Sequence, residues 1–160
     1  MKSLAHVATI LTILAGSGAA LAAGGGDVGD LRGSAPVDPT VLAAQGRFAA
    51  QDWKGAEELL AKALAGSPRS ADYHNLYAYA LRKQPNPNMD LVFRHYNEAL
   101  RIDPRHLGAL EYLGEAYLMQ SNLAKAKVHL DLLSRACGRC DEYAMLRKAI
   151  ADFERGQAKK

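Results

Sequence analysis

The chain has 160 residues, 49% of them apolar and 23% charged, which suffices for one domain with its own core. The formal charge is +3, of which Lys2 contributes one, and no basic run exceeds two residues. That balance argues against a nucleic-acid surface.

At the N-terminus, Lys2 supplies a minimal positive region, Val7 to Leu14 an apolar one, and Ala20-Leu21-Ala22 a small-x-small cleavage site, with no acidic residue before Asp27. Residues 1–22 therefore read as a signal peptide, cleaved after Ala22 or, as second choice, Ala23. The rival is an uncleaved anchor, because Leu4 to Ala23 is about long enough to span a bilayer; Gly16, Ser17 and Gly18 weaken its second half. No cysteine lies near residue 22 to carry a lipid. Cleavage would leave no stable membrane insertion and an exported product, in a bacterium a periplasmic one. Residues 23–36 are glycine-rich with few large apolar side chains, so a disordered leader is expected.

From residue 37 the chain repeats with a period near 34 residues. Residues 37–70 carry Ala43 and Ala44 on a first helix, Asp52-Trp53 at the turn, and Ala56, Leu60, Ala63 and Leu64 on a second, with Pro68 at the end. Residues 71–106 place Tyr77, Ala78 and Leu81, then Tyr96, Ala99 and Pro104, at matching positions. This copy is two residues longer, and the excess falls in Pro85-Asn86-Pro87-Asn88, where the prolines cannot continue a helix and the asparagines suit a turn. Residues 107–140 are the clearest copy: Leu110, Leu113, Gly114 and Tyr117, then Asn122, Ala126, Leu130 and Leu133. Small Ala44, Ala78, Gly114, Ala56 and Ala126 let helix axes approach while leucines and tyrosines fill the space between. A seventh helix is expected over residues 141–155, with Asp141 or Cys140 at its start, Tyr143, Leu146, Ile150 and Phe153 at helical spacing, and Gly156 opening a tail, 156–160. Its polar outer face (Arg147, Lys148, Asp152, Glu154) would close the stack against water.

This pattern matches the tetratricopeptide repeat (TPR), so the expected class is all-α, a TPR α-solenoid of three helix-turn-helix units plus a capping helix. Tyr73-His74-Asn75-Leu76, Ala99-Leu100-Arg101-Ile102-Asp103-Pro104, Glu111-Tyr112-Leu113-Gly114-Glu115-Ala116-Tyr117-Leu118 and Cys137-Gly138-Arg139-Cys140-Asp141-Glu142-Tyr143 make the C-terminal half resemble small exported bacterial TPR proteins. The resemblance implies a binding or assembly role and no enzyme, with a protein or peptide as partner and no cofactor.

Cys137 and Cys140 stand at the junction of the third repeat and the closing helix. In an oxidising compartment they most simply form a disulfide pinning that helix; exchangeable thiols and a metal are the alternatives. Asp141 stands where haem attachment would require histidine, and two thiolates do not complete a zinc site. His95 and His129 occupy equivalent places in repeats two and three and are expected on the outer side of adjacent second helices, as exposed residues or, less simply, a surface metal pair. His74 replaces a large packing residue and is expected half-buried. No Ser/His/Asp spacing, glycine-rich phosphate loop or His-Glu-x-x-His occurs.

Function is then expected on the concave face built by the first helices: Val41, Gln45 and Phe48, then Asn75, Tyr79 and Arg82, then Glu111, Glu115 and Leu118. TPR domains that grip a C-terminal carboxylate converge Lys, Arg and Asn on this face. Glu111 and Glu115 depart from that and favour a segment with basic and apolar side chains. The leading reading is an exported adaptor that binds another polypeptide, in assembly of an envelope or redox protein. A thiol-disulfide exchange factor and a self-associating, homo-oligomeric module are the alternatives.

Overall fold

The computed structural model describes residues 38–159, and the expected signal peptide and leader lie outside them. Seven helices occupy this stretch: α1 (Pro39–Ala49), α2 (Trp53–Gly66), α3 (Ala71–Arg82), α4 (Met89–Ile102), α5 (Leu107–Met119), α6 (Leu123–Cys137) and α7 (Asp141–Gln157). No strand occurs among the described residues.

Local chemistry sets the helix starts. Asp38, Asp52, Ser70, Asn88, His106 and Asn122 each accept a hydrogen bond from a backbone N–H of the first turn, through a side-chain oxygen or, for His106, Nδ1. Only α7 begins without such a bond, at Cys140. The turns inside the first and third units pass through left-handed Gln51 (φ 56°) and Ser121 (φ 57°); the longer turn of the second uses Asn86 (φ 53°), inside the segment read as an insertion.

Each helix packs on its sequence neighbours, and α1, α3, α5 and α7 also meet in succession, which lines one side of the stack with first helices. The small residues do what their size permits: Ala44, Ala56, Ala78 and Ala126 are fully buried. Gly114 goes further, because a Cβ there would lie 2.5 Å from Cδ2 of Leu146, itself fully buried on α7. The capping helix thus sits in a notch that only glycine leaves open. Leu110, Leu118, Leu133, Leu146 and Ile150 form the core beneath it.

α6 ends at Cys137, and Gly138 (φ 74°) reverses the chain, as its position in the motif suggested. Cys137 and Cys140 face each other across this turn, with Cα atoms 5.7 Å apart and sulfurs at bonding distance. α7 outruns its expected end. It continues through Gly156 to Gln157, with the Ala158 N–H donating to the Glu154 carbonyl; a terminal glycine costs only about 1 kcal/mol and does not by itself stop a helix.

Candidate functional site: the inner face of the stack

Three first helices contribute one aromatic row. The rings of Phe48 (α1) and Tyr79 (α3) have centroids 5.0 Å apart, and those of Tyr79 and Tyr112 (α5) 4.7 Å. Trp53, at the start of α2, leans on the near end, 6.0 Å from Phe48 and 6.1 Å from Tyr79, with the Lys83 ammonium 5.5 Å above it. Aromatic contacts at these spacings add to simple burial and hold the rings rigidly.

Beneath the row lies one cation. Arg82 is 8% exposed; its guanidinium donates to the Glu115 carboxylate at 2.7 Å and to the Tyr96 hydroxyl at 3.2 Å, and sits 5.5 Å and 5.6 Å from the Tyr79 and Tyr112 rings. Burial works against its charge, but Tyr96 and Glu115 hold it protonated. Burial also pushes the Tyr112 phenol up to about 12. Arg82 is a pin between repeats and is not free for a ligand.

At the far end of the row stand two buried polar side chains. Glu111 is 3% exposed, and unlike Asn75 Oδ1 its carboxyl oxygens are not among the atoms sealed from water without a partner. Burial first, then the charges of Glu115 and Glu142, push its carboxyl up to about 8, with Arg82 opposing. Asn75, 4% exposed, has an Oδ1 with no partner among the described residues, and its Nδ2 would lie 3.1 Å from a Cβ at Gly108.

The structure thus brings Phe48, Tyr79, Arg82 and Glu115 into direct contact, with Gln45 exposed on α1. It removes four from the expected set of accessible residues, Asn75 and Glu111 at the far end of the row and two more. Arg82 is buried by its ion pair, and Leu118 is 8% exposed in the core shared with Leu146 and Ile150, because α7 occupies the space its side chain faces. Val41 packs against the Ala44, Leu60 and Tyr73 cluster. Tyr112 and Trp53 were missing from the expected face. Their signal was aromatic character next to inward positions, which a register count alone passes over.

The histidines differ more sharply from expectation. His95 and His129 do not face outward as exposed residues: each packs on a tyrosine of its own repeat, Tyr77 at 4.6 Å and Tyr117 at 5.5 Å. They sit on the flank of the second helix that turns toward the first. His74 is buried, as its packing position implied. Its Nε2 lies 3.0 Å from the Pro68 carbonyl and its Nδ1 2.8 Å from Nδ1 of His95. If Nε2–H donates to that carbonyl, Nδ1 is left to accept from His95. Burial lowers both His95 and His129 to about 4, with His74 and Arg94 adding to the effect at His95. Among the described residues, no group of three or more potential ligands could hold a metal ion.

No protein-family model and no curated protein sequence matches the chain. Solved structures do. The type III secretion translocator chaperone SycD of Yersinia enterocolitica superposes with a TM-score of 0.62 at 11% identity, over 74% of this chain and 83% of that one. SycD in complex with a peptide of the translocator YopD gives 0.61 at 13%, over 76% and 92%. The TPR2B domain of yeast Sti1, in complex with pHsp70, gives 0.61 at 18%, over 76% and 95%. At such identities the likeness establishes the fold: an all-α TPR solenoid.

Proposed function

We propose that this chain is a polypeptide-binding adaptor, not an enzyme, that holds an extended or helical segment of a partner along the Phe48–Tyr79–Tyr112 row. The continuity of that row across three repeats carries the reading. Two of its three rings are tyrosines, rigid aromatics with a polar tip, which are among the residues that most often dominate binding energy at interfaces. Two of the similar structures were solved with a peptide of a translocator or with pHsp70 bound, which supports the same use of this fold. Export to a periplasm, and a role there in assembling an envelope or redox protein, rest on the N-terminal pattern and the cysteine pair alone. In that setting the Cys137–Cys140 disulfide would fix the α6–α7 turn.

The test is capture from periplasmic extract by the full chain, with and without reductant, comparing wild type with Tyr79→Ala. Tyr79 touches both other rings of the row, so its loss should weaken capture by roughly 2 kcal/mol or more with helicity intact. Equal capture by both proteins would sink the inner-face assignment. Glu115→Lys is a poor probe of the same face, since it sets a second cation against buried Arg82. One observation favours the thiol-exchange alternative: Cys140 stands immediately before α7, where a helix dipole stabilises a thiolate. Asp141 and Glu142 oppose that field. Capture that depends on a mixed disulfide with a single-cysteine variant would promote it.

A further inference from the structure

Resting on the adaptor reading, we propose that the α5 end of the groove holds one cationic side chain, a lysine or arginine of the bound segment, in a subsite formed by Asn75, Glu111 and Glu142. The charged and titratable groups facing Glu111 are Arg82 and Tyr79 from α3, Tyr112 and Glu115 from its own helix and Glu142 from α7. Arg82 is the single cation among them, and it is engaged by Glu115 and Tyr96. What remains beside Glu111 brings no second cation to it. The Asn75 amide lies against Gly108, one turn before Glu111 on the same face of α5, and its Oδ1 is buried without a donor. A buried acceptor lacking a donor is costly, and so is a carboxylate charge in a largely buried place with no free cation beside it. One incoming ammonium or guanidinium would satisfy both, and the aromatic row leading to them suits the aliphatic stem behind such a head.

The site has a protonic consequence. Empty, Glu111 is held largely neutral at pH 7 by its burial and its acidic neighbours. A cation beside it would favour the carboxylate, so occupation expels a proton, and binding should tighten as pH rises from about 6 to about 8.

The experiment uses a displayed library of random dodecapeptides selected on the full chain, wild type or Glu111→Gln, a near-isosteric change whose folding is checked by circular dichroism. Wild type should enrich segments with a lysine or arginine beside apolar residues, and Glu111→Gln should lose that preference. One enriched peptide and its copy with norleucine for lysine then go into calorimetry in two buffers of different ionisation enthalpy. Norleucine should weaken binding to wild type on the order of 30-fold and to Glu111→Gln far less, with about one proton released at pH 7 by the wild type alone. Enrichment of peptides without a cationic preference, or binding without proton release, overturns the subsite and leaves the adaptor standing. Failure to enrich any peptide overturns both.

Discussion

Arg82 of α3 donates to Glu115 of α5 at 2.7 Å, and this pair crosses from the second repeat to the third beneath the rings that would meet a ligand. Arg82→Ala should therefore act on the fold before it acts on binding. It strands Glu115 and the Tyr96 hydroxyl and empties the space between two rings, so unfolding in urea should show a loss of about 3 kcal/mol with little change in slope. Arg82→Met, which keeps the stem, should lose less. A stability within 0.5 kcal/mol of wild type for the alanine variant, roughly what exposed sites show, would mean the pair is ornamental.

Gly114→Ala should loosen the capping helix. The added methyl meets two methyl groups of Leu146 at 2.5 and 2.8 Å, and Leu146 is too enclosed to swing away. Overpacking of this kind costs roughly 1–3 kcal/mol. Hydrogen exchange should speed up in α7 well before α3, and unchanged protection along α7 would contradict the notch.

Acid should weaken the domain in a defined window. His95 and His129 are held at about 4 in the folded chain, against about 6.5 when unfolded. Above pH 6.5 neither state carries the extra proton and the stability these two histidines govern is fully present; Glu111, raised to about 8, works in the opposite sense. Between 6.5 and 4 the unfolded chain takes up protons that the folded one refuses, so stability falls. His129→Leu, which keeps an apolar body against Tyr117, should flatten that fall; a pH profile indistinguishable from wild type would rule out His129 as a contributor.

The Cys137→Ser, Cys140→Ser double variant should still bind its partner while melting at a lower temperature. The sulfur bridge closes a loop of only four residues, for which chain entropy accounts for about 2 kcal/mol at most. The loss should concentrate at the α6–α7 turn. Abolished binding with the helices intact would point to thiol chemistry instead.

The repeat frame was legible because its determinants are local. Alanine or glycine where two axes cross, Asp, Asn or Ser at helix starts and the two-proline insertion each announce themselves within a few residues, and the helices fall where those marks stand. The inner face was legible only in part. Register alone places Arg82 and Leu118 inward, but whether an inward side chain meets water depends on its neighbours: Glu115 on one side, α7 on the other. His95 and His129 failed for the same reason, since their surroundings are tyrosines of another helix. A one-dimensional spacing argument carries no information about which flank closes.

Phe48 rides on α1, the shortest of the helices, in which only Ala44 is fully buried, whereas Tyr112 sits on α5, which buries seven residues. An element that buries little opens locally at a lower free energy than the whole domain. A segment lying along the row would therefore lose its hold at the α1 end first and peel toward α5. Residence time then becomes a property of α1 fraying, so a substitution that stiffens this helix, such as exposed Gly46→Ala, should lengthen the life of the complex without touching anything that is bound.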